Sequence, residues 1–329
     1  MSGFDEVIGQ EKIIEHLKNA IKTDKVSHAY IFSGERGTGK KLLASLFAMT
    51  LLCEKQGTDP CMDCSSCKKA MSKNHPDIIS VVHEKPNSIG IREIRDQLID
   101  DVEIRPYSGP YKIYIINDAQ KMTLQAQNAL LKTIEEPPSY AIILLLTENP
   151  DAFLPTITSR CVSLDLKPVS DHMVKNYLME HMHIPDYQAE VDASLAQGNI
   201  GRAKQAATSE EFEQLSQDAL HIVENAKDMQ LYELIDAIKE MSEDKNNIDD
   251  YLEFFTLWFR DVLLFKATRE IDSLVFKQEI NHIKERAQVS SYEGLEHIID
   301  AIKNARIRLK ANVNFDLTME LLFLTIKEN

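Results

Sequence analysis

At 329 residues and 43% hydrophobic content, the chain is long enough for two or three compact domains with a core each, which excludes a disordered protein. Its net charge of −15 excludes a surface that holds nucleic acid by bulk attraction, so any DNA contact is local or borrowed from partners. No apolar run reaches the length of a membrane span, and Met1 to Glu6 lack the basic start and apolar stretch of a signal peptide, which points to the cytoplasm.

From residue 4 to about 165, helical periodicity alternates with short β-rich runs, predicting an α/β domain with a mostly parallel sheet. The first run, Ala29 to Ser33, enters Gly34-Glu35-Arg36-Gly37-Thr38-Gly39-Lys40-Lys41, and Leu42, Leu43, Leu46, Phe47 and Met49 form the stripe of a helix leaving it. This is a phosphate-binding loop in its strand–loop–helix setting rather than a plain glycine-rich turn. Gly34, Gly37, Gly39 and Lys40 keep the cradle, in which backbone N–H groups curl around phosphate and the lysine reaches the terminal phosphates. The last position belongs to a Ser or Thr that holds Mg²⁺. Here it is Lys41, whose ammonium has no lone pair and repels a divalent cation.

Beyond that helix, Cys61-x-x-Cys64-x-x-Cys67 places three thiols on one tight segment, and Cys53 can close a tetrahedron. Four soft thiolates predict a closed, structural Zn²⁺ site stapling an insertion with little apolar material of its own. The alternative, reduced thiols on a surface loop, remains open, although Pro60, Asp63, Ser65 and Ser66 make the segment too polar for a core.

Further strands are predicted at Ile78 to Val82, Lys112 to Ile116, Ala141 to Leu146 and Val162 to Leu166, in runs apolar enough to be covered on both faces. The strand from Lys112 ends in Asn117-Asp118, where an ATPase needs an acidic pair; Asn117 stands at the metal-holding position without a charge. Asp118 reads equally well as a polar strand end. Asn128 to Pro138 is a helix stopped by two prolines, Thr147 to Pro150 offers a polar residue to sense a γ-phosphate, and Thr156 to Cys161 follows with Arg160. After Lys167-Pro168 the β signal fades. A short helical segment is predicted to about residue 207, ending near Gly198-Asn199-Ile200-Gly201-Arg202, and a helical bundle follows. Its apolar stripes include Leu231, Leu234, Ile235 and Ile238, then Leu252, Phe255, Leu257, Trp258 and Val262, then Ile298, Ile299, Ile302 and Ile307. Trp258 and its aromatic neighbours read as core rather than as a cofactor site.

Val7-Ile8-Gly9-Gln10, His28-Ala29-Tyr30, the phosphate loop, the four-cysteine insertion, Asn128 to Pro138 and Ser159-Arg160-Cys161 together resemble the bacterial clamp-loader subunits of DNA polymerase III, within the AAA+ ATPase superfamily. The resemblance implies a RecA-like AAA+ domain over 1–166 with a parallel sheet and a zinc-binding insertion near 53–67. It further implies a small helical lid over 167–207 and an all-α collar over 208–329 that joins subunits into a ring of five. Motor subunits of that family keep the loop Ser/Thr and an Asp-Glu pair, so the departures at Lys41 and Asn117 imply the non-hydrolysing stator.

In that role Ser159 and Arg160 would act in trans, the arginine reaching ATP held by a neighbouring gamma/tau motor subunit. The implied partners are those motors and the delta subunit in a hetero-pentamer, with sliding clamp and primer-template DNA met through the assembly. Retention of Gly34, Gly39 and Lys40 leaves ATP binding without hydrolysis open, with the Lys41 ammonium standing where Mg²⁺ would sit. Arg202 matches the lid's sensor arginine beside a crippled site. Two rivals are an ATP-hydrolysing motor of the same loader and a zinc-dependent nucleic-acid-binding module using Lys68, Lys69 and Lys73.

Overall fold

A computed structural model describes residues 3–85, 88–243, 247–311 and 313–329; the side chain of Leu231, counted above in an apolar stripe, lies outside the described residues. The chain divides into two compact units, Met1–Met173 with Asn199–Gly201, and Val174–Gly198 with Arg202–Asn329.

In the first unit the strands are β1 (Ala29–Ser33), β2 (Ile78–Val81), β3 (Lys112–Ile116), β4 (Ala141–Thr147) and β5 (Val162–Asp165), all parallel in the order β2-β3-β4-β1-β5. The helices are α1 (Glu11–Lys22), α2 (Lys40–Leu51), α3 (Ser65–Met71), α4 (Ile91–Ile94), α5 (Leu124–Glu135), α6 (Pro155–Thr158) and the start of α7 (Asp171–Met182). Every position of β1, β3 and β4 is buried, as parallel strands covered on both faces require.

Alternation along these strands sends successive side chains to opposite faces. Tyr30, Phe32, Ile113, Ile115, Ile142 and Leu144 meet Leu17, Leu43 and Phe47 on one side. Ala29, Ile31, Tyr114, Ile116, Ile143 and Leu145 meet Ile94, Leu98, Leu130 and Ile134 on the other. This is the RecA-like α/β domain expected from the sequence, with the strands where the apolar runs placed them.

The remainder is helical: α8 (Asp186–Ala196), α9 (Ile200–Thr208), α10 (Glu210–Asn225), α11 (Leu231–Glu243), α12 (Ile248–Thr268), α13 (Ile280–Val289), α14 (Tyr292–Lys310) and α15 (Phe315–Glu328). The stretch up to residue 207, expected to be helical, consists of α7, α8 and α9. Gln197 (φ 49°) and Gly198 (φ 78°) both take left-handed conformations that end α8, and the Gly198 to Arg202 stretch opens a helix rather than closing one. In the second unit α12 runs through the core, where Phe254, Phe255, Trp258 and Phe259 are almost wholly buried. Trp258 is core, stacked edge-on to Phe259 with ring centroids 5.0 Å apart. Asp261 is buried beside it and accepts the Val275 and Phe276 N–H groups at 2.7 and 2.8 Å.

Candidate functional site: a degenerate phosphate loop, an arginine and a cysteine cluster

The parallel register brings the carboxyl ends of the central strands to one edge, where open α/β sheets bind ligands. Ser33 pairs with Thr147 and with Asp165, and Ile116 with Leu145, so the phosphate loop after β1, Asn117-Asp118 after β3 and Glu148 after β4 emerge there together. Gly34 donates its N–H to the Thr147 carbonyl at 3.2 Å, fixing the start of the loop. Lys40 opens α2, and its ammonium donates to the Gly34 and Glu35 carbonyl oxygens at 2.5 and 2.7 Å. Burial lowers the basicity of Lys40, while the carboxylates of Glu148, Asp118 and Glu35 act on it in the opposite sense. Lys41 is exposed on the first turn of α2. Asp118, in a left-handed conformation (φ 49°), lies 3.5 Å from the Lys121 ammonium.

One participant had no signal in the sequence. Asn199 donates through Nδ2 to the Arg36 carbonyl at 2.6 Å, and the Gly201 N–H donates to the Gly37 carbonyl at 3.0 Å. A Cβ at Gly37 would come within 2.4 Å of Asn199 Oδ1, so glycine is required there for close approach as well as for its φ of 93°. Contacts spanning more than 160 residues leave no local pattern to read.

The Thr147 hydroxyl is engaged locally, donating to the Asn149 carbonyl at 2.9 Å. Gln10 holds the entry segment by donating to the Lys167 carbonyl at 2.7 Å. Arg160 follows the short α6 at the surface, 40% exposed, with Nη1 donating to the Thr156 carbonyl at 3.0 Å and the Ser159 hydroxyl at 3.2 Å. Its Nη2 lies 3.0 Å from the carboxylate of Glu135, the last residue of α5. Arg202 pairs with Asp250 at 2.5 Å in the second unit.

The four cysteines converge. Their sulfurs all lie within 4.8 Å of one another, with Cys53 and Cys67 buried and Cys61 and Cys64 half-buried. Cys53 follows the end of α2, and Cys64 caps the start of α3, so two helix ends and the intervening loop set the geometry. The N–H of Cys61 points to the Cys53 sulfur at 3.4 Å, that of Cys64 to Cys61 at 3.3 Å, and that of Cys67 to Cys64 at 3.3 Å. Such donors stabilise thiolates: the backbone N–H groups of Asp63 and then Cys64 bring the Cys61 thiol down to about 6, whereas burial raises Cys67. The Cys61 and Cys67 sulfurs are 4.0 Å apart, too far for a disulfide. The edge of a zinc–thiolate tetrahedron with bonds of about 2.3 Å measures roughly 3.8 Å, so the donor set fits a four-coordinate metal ion.

Residues 9–170 match the family described as "DNA polymerase III, delta subunit", and residues 211–328 match "DNA polymerase III, delta subunit, C terminal". Over 323 residues the chain is 31% identical to DNA polymerase III subunit delta' of Bacillus subtilis, covering 97% of this chain and 96% of that protein. The chain belongs to the DNA polymerase III delta' family. This family of clamp-loader subunits is related to the gamma/tau subunits, since the chain is also 30% identical to B. subtilis DNA polymerase III subunit tau, over 93% of its own length and 58% of tau. A gamma subunit-related protein from Thermotoga maritima is similar in structure, with a TM-score of 0.47 and 20% identity over 96% of this chain and 98% of that one. Among the described residues, no helix of this delta' family member is long and apolar enough to cross a membrane.

Proposed function

We propose that the chain is the stator of the clamp loader: a subunit without ATP turnover of its own that supplies Arg160 in trans to ATP held by a neighbouring gamma/tau motor. The observation that carries this reading is the coincidence of Lys41, in a loop whose glycines and Lys40 are otherwise in place, with Asn117 at the end of β3. At the two positions that would hold Mg²⁺, Lys41 offers no lone pair and Asn117 no charge, and phosphoryl transfer depends on that charge neutralisation. Arg160 supports the second half of the proposal. A surface ion pair such as Arg160–Glu135 is worth only about 0–1 kcal/mol, so exchanging the carboxylate for a phosphate of another subunit costs little.

The motor reading has the near-equal identity to tau in its favour. The chemistry of Lys41 and Asn117 weighs against it. The domain division at 1–166, 167–207 and 208–329, the collar contacts, the ring of five with gamma/tau and delta, the sliding clamp, primer-template DNA and a cytoplasmic setting belong to the same proposal. Zinc is assigned to Cys53, Cys61, Cys64 and Cys67, where it would cross-link the end of α2 to α3 and supply no reaction chemistry.

For nucleotide binding, Lys41 would stand in for the missing cation, and Lys40 would have to release the Gly34 and Glu35 carbonyls first. Fluorescent ATP should therefore bind the isolated chain with equal affinity in excess chelator and in excess Mg²⁺, and Lys40→Ala should weaken it in both. Binding that requires Mg²⁺ would contradict this assignment.

A further inference from the structure

Arg160 is held from two elements. Its Nη1 donates to the Thr156 carbonyl and the Ser159 hydroxyl, neutral acceptors of its own segment, whereas its Nη2 lies 3.0 Å from Oε1 of Glu135 on α5. Both side chains of the ion pair are exposed, Arg160 at 40% and Glu135 at 45%, so no packing enforces it.

Glu135 is the last residue of α5, with Glu136 as its C-cap and Pro137-Pro138 directly after. The free carbonyls of a helix C-terminus carry partial negative charge, so a carboxylate there is unfavourable unless a cation stands beside it. Among the described residues the cation paired with Glu135 is Arg160, and Lys132, one turn back on α5, makes no ion pair with it. The prolines fix where the helix stops, and the guanidinium therefore meets a charged oxygen at a set place. A carboxylate oxygen on a guanidinium N–H makes the same charge-assisted contact as a phosphate oxygen. The Thr156 and Ser159 oxygens are uncharged and orient the planar fork without matching that contact.

We propose that Glu135 is a placeholder for phosphate: it holds Nη2 of Arg160 while no nucleotide is presented, and yields it to a phosphate oxygen of ATP on the neighbouring subunit. This rests on the trans role proposed for Arg160 and deepens it. Glu135 touches no reacting atom and acts through Arg160, as a positioning residue. Carboxylate and phosphate compete for one N–H group, so engagement of the arginine follows the difference between the two contacts. Removing the charge of Glu135 removes the competitor and leaves the Thr156 and Ser159 contacts to aim the fork.

Single-site turnover of the reconstituted loader tests this with Glu135→Gln, which keeps an oxygen acceptor and removes the charge. Expected is a rise in kcat/KM for ATP of about twofold to fivefold at the site that Arg160 serves, the scale set by exposed ion pairs, with no change at the other sites. A substitution that merely disturbed packing would lower the value. In an Arg160→Ala background Glu135→Gln should have no effect. A lowered or unchanged kcat/KM, or an equal rise without Arg160, would overturn the proposal and leave the trans role standing, whereas no effect of Arg160→Ala itself would remove both. In the isolated chain, rotation about the Nε–Cζ bond of Arg160, read by NMR, should be slower in the native protein than in Glu135→Gln. Equal rates would show that the carboxylate does not hold the arginine, and would overturn the proposal as well.

Discussion

Replacing Arg160 by alanine is expected to slow ATP turnover at the adjoining motor site by about a thousandfold, the scale at which a transition-state arginine acts in related chemistry. The ring should still assemble, because Arg160 is a surface residue whose present partners are Glu135, Thr156 and Ser159. If, as proposed, this chain serves only one of the sites in the ring, the bulk rate of a reconstituted loader falls partially, and single-site turnover reads the full loss. Arg160→Lys should recover little. A lysine keeps the charge but not the planar fork that contacts two oxygens at once. A loader with unaltered turnover at every site after Arg160→Ala would remove Arg160 from the mechanism.

Loss of the metal is expected to have the largest structural effect. Native chain should carry one zinc ion, Cys61→Ser should carry none, and the segment from Cys53 to Met71 should lose its protection from proteolysis by about tenfold or more. The reason lies in the composition of the module. Its buried apolar contacts are little more than Met49, Cys53 and Cys67, with Met62 and Ala70 partly covered, so thiolate ligation must supply what packing does not. The sheet should remain, since its two cores are built from β1, β3 and β4 with α1, α2 and α5. Native chain free of metal yet equally resistant to protease would show that the four thiols serve as packing alone.

Much of this was legible before the structure, for identifiable reasons. Strands buried on both faces write continuous apolar runs, and so Ala29–Ser33, Lys112–Ile116 and Ala141–Thr147 could be placed closely. The strand–loop–helix around Gly34 to Lys41 and the convergence of the four cysteines were legible because such motifs fix residue type and spacing together. What was hidden depends on distant pairs. Nothing near Asn199 announces its bond to the Arg36 carbonyl, and nothing near Glu135 announces its hold on Arg160. The interruption at Gly198 to Arg202 was marked by its two glycines, whereas the left-handed conformation of Gln197, which ends α8, is not advertised by its residue type.

A chain that lacks turnover of its own and acts on its neighbour should be silent when ATP hydrolysis is measured on the isolated, zinc-loaded protein in excess Mg²⁺. Its rate should be no greater than that of the Lys40→Ala variant, with or without primed DNA. Turnover above that background, abolished by Lys40→Ala, would show a working motor and contradict the reading of Lys41 and Asn117.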